Sequence, residues 1–327
     1  MPFRSLAAFG TLLLVTASLP ARAEVPRVVA SVKPVHSLVA AVMDGVGAPE
    51  LLVDGAGSPH TYSLRPSDAR GLASADLVFW IGPELEIFLE RPLATLGENA
   101  RAVALISAPG MVLRSGSEHD HDDDHGHDDD HGHGDGHGHG DDHGHDDGHG
   151  HGGGGGIDTH VWLDVGNAGA MVAAIADALA AADPGNAATY RTNAETEARR
   201  LDALDAELRA RLAPLADRAF ATFHDAYGYL EHRYGLRSVG AVTVSPDRPP
   251  SARRVSELRA RLVGQQAVCL FSEPQFEPAI VATITEGTGI RTGVLDPLGA
   301  TLENGPELYP AMMRNLADGL AGCLGSR

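Results

Sequence analysis

From Arg27 onward, short apolar runs alternate with stretches of helical period. Arg27–Val32 (RVVASV) has the pattern of a buried strand. Pro34–Met43 is predicted to be a helix, opened by a proline that suits a first helical turn. Leu51–Val53, Asp76–Trp80 and Ala102–Ile106 are further strand candidates, with helices predicted at Ser67–Ala73 and Glu84–Leu96. Val165–Ala182 is an unbroken Ala-rich stretch of high helix propensity that ends at Asp183-Pro184-Gly185. Asn186–Leu212, rich in Glu and Arg, is a second long helix, stopped by Pro214. The alternation then resumes. Strands are predicted at Ala219–Phe223, Val239–Val244, Ala267–Ser272 and Gly293–Asp296. Between and after them come helices at Tyr227–Tyr234, 251–263, 278–286 and near 307–322. Strands alternating with helices mean βαβ units, an α/β fold with mostly parallel sheets. Two such blocks separated by long helices predict two lobes: an N-terminal lobe over 24–164, a linker helix over 165–183 and a C-terminal lobe over 184–327. A helical link restricts opening more than a loop hinge does, and the cleft between the lobes is the default ligand site.

The segment before this pattern has a different character. Arg4, the apolar run Leu6–Leu19 and the Ala21-Arg22-Ala23 site together read as a secretory signal peptide over 1–23. An apolar run of about 14 residues falls short of the ~20 that a spanning helix needs. No later segment is expected to be long and apolar enough to span. No cysteine lies near the cleavage point to carry a lipid, so the mature chain is expected free in the periplasm. Cys269 and Cys323 are the only cysteines. In an exported chain such a pair is most simply a disulfide, which for a loop of this length stabilises by about 4 kcal/mol in the chain-entropy model. The alternative is a pair of metal-binding thiolates.

Charge is concentrated in one segment. The 327-residue chain has a formal charge of −19, but residues 118–151 hold thirteen acidic and no basic residues, leaving −6 for the rest. That moderate acidity without a basic stripe argues against nucleic acid as a partner. The same segment carries twelve of the seventeen histidines as His-x-His pairs of period six: His119 and His121, His125 and His127, His131 and His133, His137 and His139, His143 and His145, His149 and His151. With only Gly and Asp as spacers, the insert 118–156 has too little apolar surface to offset its ordering entropy, and it is expected to be disordered. Residues i and i+2 lie on one side of an extended chain, so each pair presents two imidazoles to one ion. Neutral imidazole suits zinc, copper and nickel, so weak, multiple and poorly selective metal sites are expected here.

Five histidines remain. His60 lies in a polar turn (GAGSPHTYSLRPSD), His160 follows the insert in DTHVWLD, and His224 closes a strand in ATFHDAYGYL. The carboxyl ends of strands are where open α/β sheets place their ligand groups. Asp296, in VLDPLG at the end of the last strand, is a candidate carboxylate. Three imidazoles with one carboxylate or a water make a four-coordinate site suited to zinc. Asp158, Asp164 and Asp225 are candidates to orient a ligand histidine. His36 and His232 fall inside helical patterns and are read as non-ligands. Glu273, in FSEPQF, is either a cleft residue or the end of a strand, while Tyr62, Arg65 and Asp68 are expected to fasten the His60 turn.

Taken together, the segments GAGSPHTYSLRPSDARGLASADLVFWIG, DTHVWLD, TFHDAYGYLEHRYGL, FSEPQF and VLDPLG, with a His-Asp-rich insert just before DTHVWLD, resemble the ZnuA type of cluster A-I substrate-binding proteins. These are the zinc-binding components of bacterial high-affinity zinc ABC transporters, and the resemblance covers nearly all of the mature chain. It implies two (β/α) lobes joined by a long rigid helix, with one Zn2+ in the interlobe cleft. By motif position it carries His60, His160 and His224 over as ligands, and it maps a C-terminal disulfide onto Cys269 and Cys323. The similar manganese branch has a Glu where this chain has His224, and a site of three histidines favours zinc over that harder ion. Some zinc members have a Glu immediately before the first ligand histidine. Pro59 stands there in this chain, which leaves Asp296 or water as the fourth ligand.

The resemblance also implies partners: a membrane ABC permease with its ATPase subunit, and no small-molecule substrate. The chain itself has no G-x-x-x-x-G-K-[ST] phosphate loop, and it is expected to act as a monomer, not an enzyme. Two other readings stand beside this one. A periplasmic zinc store or chaperone would depend mainly on the insert. A secreted zinc hydrolase would need an open coordination position and a general base beside it, and no H-E-x-x-H motif is present.

Overall fold

Val28–Val32 (β1) is buried at all five positions, as a parallel strand covered on both faces must be. It leads directly into α1 (Lys33–Val42), where Pro34 sits in the first turn. The computed structural model describes residues 25–96, 100–116, 156–243, 250–276 and 279–325. The expected signal peptide and the twelve insert histidines lie outside them.

The first lobe continues through β2 (Glu50–Val53), α2 (Pro66–Ser74), β3 (Leu77–Trp80), α3 (Ile87–Leu96) and β4 (Arg101–Ala104). Its four strands lie in the order β2-β1-β3-β4, all parallel. After α4 (Val165–Ala182) and α5 (Ala187–Leu212) come β5 (Phe220–His224), α6 (Gly228–Tyr234), β6 (Ser238–Thr243), α7 (Ala252–Gly264), β7 (Cys269–Ser272), α8 (Ala279–Thr285), β8 (Arg291–Val294) and α9 (Leu308–Leu324). The second sheet repeats the plan of the first, in the order β6-β5-β7-β8 and again all parallel. In each sheet the order reverses beside the first strand of the lobe, so β1/β3 and β5/β7 are the switch points that create a crevice at the carboxyl ends.

Three local readings change. The helix expected from Glu84 starts at Ile87, because Glu86 turns inward and accepts bonds from the Ile81 and Gly82 amides and the Ser31 hydroxyl. The strand expected to reach Ile106 stops at Ala104, where Leu105–Ser107 wind into a 3-10 turn. The link placed at 165–183 shifts as well. α4 packs against α1, β3 and α5, whereas α5, 26 residues long, runs on through a short 3-10 turn into the second sheet. By length and composition α4 could also cross a membrane, contrary to the expectation that nothing after the signal would, but more than half of it is buried inside the protein.

One apolar core runs through both lobes. It joins β1, α1 and β3 to Trp162, Tyr227, Leu298, Tyr309 and Met313 through the buried faces of α4, α5 and α9. Polar ties cross the same boundary. The Trp162 indole donates to the Pro297 carbonyl (2.8 Å), the Tyr309 hydroxyl to the Trp162 carbonyl (2.8 Å) and the Tyr309 amide to Ser37 Oγ (2.9 Å). On the far side of the second sheet a smaller core under α7 and α8 includes Ala221, Leu258, Leu270 and Ile284. Cys269 in β7 and Cys323 in α9 form the disulfide, which ties the last helix to the central strand pair.

Candidate metal centre

Two loops and the end of a strand bring one histidine each to the crevice. His60 rides on the turn between β2 and α2. The Tyr62 hydroxyl donates to Asp68 Oδ2 (2.7 Å), and the same oxygen accepts the Arg65 amide (2.8 Å) at the start of α2, so the turn is fastened as expected. His160 directly precedes the 3-10 turn Val161–Leu163. Its amide and its Nδ1 both lie against Asp158 Oδ1, at 3.0 and 2.9 Å. His224 is the last residue of β5, and its Nδ1 lies 2.7 and 2.9 Å from the two carboxylate oxygens of Glu273.

A carboxylate facing Nδ1 keeps the ring proton there and leaves the Nε2 lone pair free, and it is these Nε2 atoms that converge. His60 and His160 Nε2 are 3.3 Å apart, His160 and His224 Nε2 are 3.2 Å apart, and all three histidines offer ligand atoms within 4.8 Å of one another. Two nitrogens bound at ~2.0–2.1 Å and subtending a tetrahedral angle are separated by about 3.3–3.4 Å, whereas right-angled ligands at the same bond length are about 2.9 Å apart. The observed spacing fits the tetrahedral case. Burial, with the neighbouring His160 and His224 adding to it, draws the His60 pKa down to about 3. His60 therefore presents a neutral imidazole at any physiological pH.

The walls are mostly apolar. Trp162 packs edge-on against His160 at 5.4 Å between ring centroids and Phe276 against His224 at 5.8 Å, and Pro59, Pro297 and Leu298 add to an otherwise apolar lining that also includes Ser58 and Gln275. The cavity is about 10 Å3, room for one ion or water. In so dry a setting a fixed lone pair counts for more than it would in water.

Asp296 does not join this cluster. Its Oδ1 accepts from Gln275 Nε2 (3.1 Å) and the Leu298 and Gly299 amides (3.1 and 3.0 Å), and its Oδ2 accepts from the Ala300 amide (2.7 Å). The carboxylate holds the loop after β8 and is not in the group whose ligand atoms converge. Of the carboxylates weighed as orienting partners, Asp158 meets a histidine. Asp164 caps α4 through the Gly166 and Asn167 amides and pairs with Arg233 (2.7 Å). His36 is buried on α1 with Nε2 3.1 Å from the Pro49 carbonyl, and His232 is exposed on α6. Sequence reasoning left Glu273 undecided. Its partner became visible only once the pairing of β5 with β7 was known.

The family model of ZnuA, described as zinc-uptake complex component A, periplasmic, matches residues 28–323. The high-affinity zinc uptake system protein ZnuA of Brucella abortus (strain 2308) is 52% identical over 304 residues, covering 91% of this chain and 91% of that protein. Among solved structures, the periplasmic zinc-binding protein TroA from Treponema pallidum superposes with a TM-score of 0.74 at 22% identity, covering 91% of this chain and 99% of that one. The SBP FpvC from Pseudomonas aeruginosa, solved with Mn2+, reaches 0.73 at 23%, covering 92% and 99%. One fold thus serves proteins solved or named with different metals, so the choice of ion rests on the ligands each chain supplies. With the sheet order, the three-histidine crevice and a family match over nearly its whole length, this chain belongs to the ZnuA family of periplasmic zinc-uptake components.

Proposed function

We propose that the protein captures Zn2+ in the periplasm through Nε2 of His60, His160 and His224 and delivers it to a membrane ABC permease driven by a separate ATPase subunit. The observation that carries the reading is the convergence of three histidine Nε2 atoms, with neighbouring pairs at 3.2–3.3 Å, in a cavity the size of one ion. Three neutral imidazoles favour zinc over oxygen-seeking cations. With Asp296 committed to its own loop, the fourth position falls to water. The cavity leaves no room for an organic substrate, which supports the ion as sole cargo. A hydrolase would need a general base beside that water. The two carboxylates nearest the cluster, Asp158 and Glu273, are engaged by ring nitrogens instead, and this supports a carrier without catalysis.

Residues 1–23 direct export and are removed, no lipid is attached, and the mature chain works as a monomer. The His-x-His repeats of 118–151 collect zinc at low affinity and raise its supply near the cleft. Competitive zinc titration at neutral pH against a tight chelator tests both levels, comparing the intact chain with a 118–151 deletion. One tight equivalent is expected to survive the deletion while several weak ones disappear. His60→Ala, His160→Ala or His224→Ala is each expected to weaken the tight site by orders of magnitude. Loss of all tight binding on deletion would instead move the chemistry into the insert and make this a storage protein. A deletion variant that acquires zinc as well as the intact chain at limiting metal would remove the collecting role.

A further inference from the structure

We propose that Glu273 is the positioning residue for zinc capture by His224, holding its imidazole as the Nδ1–H tautomer with Nε2 aimed into the cluster. The inference rests on the reading of His60, His160 and His224 as the zinc ligands. Its foundation is the sheet. β5 and β7 pair in parallel with Phe220 opposite Cys269, Ala221 opposite Leu270 and Thr222 opposite Phe271. Two steps further, the same register sets His224 beside Glu273 at the switch point. In-register neighbours project to the same face of a sheet, so the two side chains meet without any loop having to fold between them.

The contact has the geometry of a dedicated pair. Both carboxylate oxygens lie within 2.9 Å of Nδ1, the His224 amide approaches Glu273 Oε1 at 3.4 Å, and the two side chains are 5% and 1% exposed. A carboxylate this deeply buried needs donors, and the Nδ1–H supplies the shortest. Tyr227 supports it from the next turn. The phenol is buried and faces the Glu273 and Asp296 carboxylates, which holds its pKa well above 10 and keeps its hydroxyl a donor.

Asp158 faces His160 in a similar way, but from two residues away along the same chain, where turn geometry alone can bring the groups together. Glu273 is 49 residues from His224 and meets it only when the second sheet is paired. Formation of that sheet is therefore what fixes the His224 tautomer, and the ligand is already set before any ion arrives. Neutral imidazole left to itself distributes its proton over both nitrogens, and every molecule carrying it on Nε2 is closed to metal.

The test uses the full-length protein carrying Glu273→Ala or Glu273→Gln, with His224→Ala as reference. Zinc affinity is measured by chelator competition. The tautomer of His224 is read in the zinc-free state by NMR of histidine-15N-labelled protein, its resonances identified by their absence in His224→Ala. The expected result is an about 10- to 100-fold weaker zinc site in Glu273→Ala, with loss of the Nδ1–H tautomer at His224. Glu273→Gln, whose amide oxygen still accepts, is expected to retain the tautomer and more of the affinity, and it serves in place of Glu273→Ala should that variant fail to fold. Affinity within about twofold of wild type in both variants overturns the proposal, as does a fall in Glu273→Ala with the tautomer intact. If His224→Ala itself leaves tight zinc binding unchanged, the ligand assignment fails, and that result is distinct from a failure at Glu273 alone.

Discussion

His36 shows how one residue type takes two roles in this chain. It lies on α1 beneath β2, its Nε2 3.1 Å from the Pro49 carbonyl, and its buried Nδ1 has no hydrogen-bond partner among the described residues. Burial lowers its pKa from 6.5, against the opposing pull of the Pro49 carbonyl and Asp54. The cluster histidines are half-buried (His60) or buried (His160 and His224), but they turn their Nε2 atoms toward one another, and two of them are backed by carboxylates. His36 faces a carbonyl with the nitrogen that must carry the proton, so it has no lone pair to offer the cleft. Its titration bears on stability instead. With the folded value below the unfolded one, the unfolded chain binds the extra proton as pH falls through about 6.5, so the contribution of His36 is complete above that pH and is lost below it. Thermal melts of zinc-free protein from pH 7.5 to 5.5 are expected to show a shallower acid decline in His36→Phe than in wild type. Zinc affinity at neutral pH is expected to stay within about twofold. An unchanged decline would place the acid sensitivity elsewhere.

Elements are held at their ends by groups that the sequence reveals unevenly. Asp164 caps α4 by accepting from the Gly166 and Asn167 amides (2.7 and 3.2 Å), and it also meets Arg233 of α6 at 2.7 Å. Asp164→Ala is expected to cost about 1–2 kcal/mol from the cap alone. The half-buried Arg233 would keep only Asp205 as a carboxylate partner, which adds to the loss. Urea unfolding would read this as a lower midpoint at an unchanged slope, and a midpoint equal to wild type would show that the cap contributes nothing. The sequence carries a sign of this cap, an Asp directly before an Ala-rich helical run, yet sequence reasoning put Asp164 forward as a partner for a ligand histidine. The strands were legible, because parallel strands buried on both faces are continuous apolar runs such as VVASV, LVFW and FATFH. The three site histidines could be picked out because each follows or ends a strand or borders the insert. Asp296 was picked for the same reason. It follows β8 by two residues, and whether such a carboxylate reaches the crevice or folds back on its own loop depends on the backbone conformation of 297–300, which no residue pattern shows. Glu86 hid the start of α3 likewise, by turning inward to amides that precede it in the chain. Glu273 needed a pairing register between strands 49 residues apart.

At the scale of the whole molecule, the position of the core decides how far the lobes can move. Trp162, Tyr309, Leu298 and Met313 belong to the same apolar cluster as β1 and α1, so one core bridges the two lobes. Separating them would expose several large side chains. At ~25 cal/mol per Å2, and with 150–250 Å2 for each aromatic, two such residues alone would cost on the order of 10 kcal/mol. Polar ties add to this. The buried Lys33 ammonium donates to the Ala300 and Leu302 carbonyls (3.2 and 2.7 Å) across the same boundary, so opening would leave it and the Trp162 indole short of their acceptors. Differential binding of one ion at a three-histidine site would have to supply all of that free energy for zinc to drive a wide closure. Capture should therefore proceed by local movement of the loops that carry His60 and His160, against a His224 fixed at the end of β5, while the lobes keep their relation. The two native cysteines are bonded to each other, so spin labels can be placed on cysteines introduced at exposed Glu90 in α3 and exposed Glu257 in α7, one on each lobe. The label-to-label distance is expected to change by less than about 2 Å between chelator-treated and zinc-loaded protein, because the shared core resists any larger displacement. A shift of about 5 Å or more would mean that the core divides at lower cost than its buried area implies, and that the lobes themselves close on the ion.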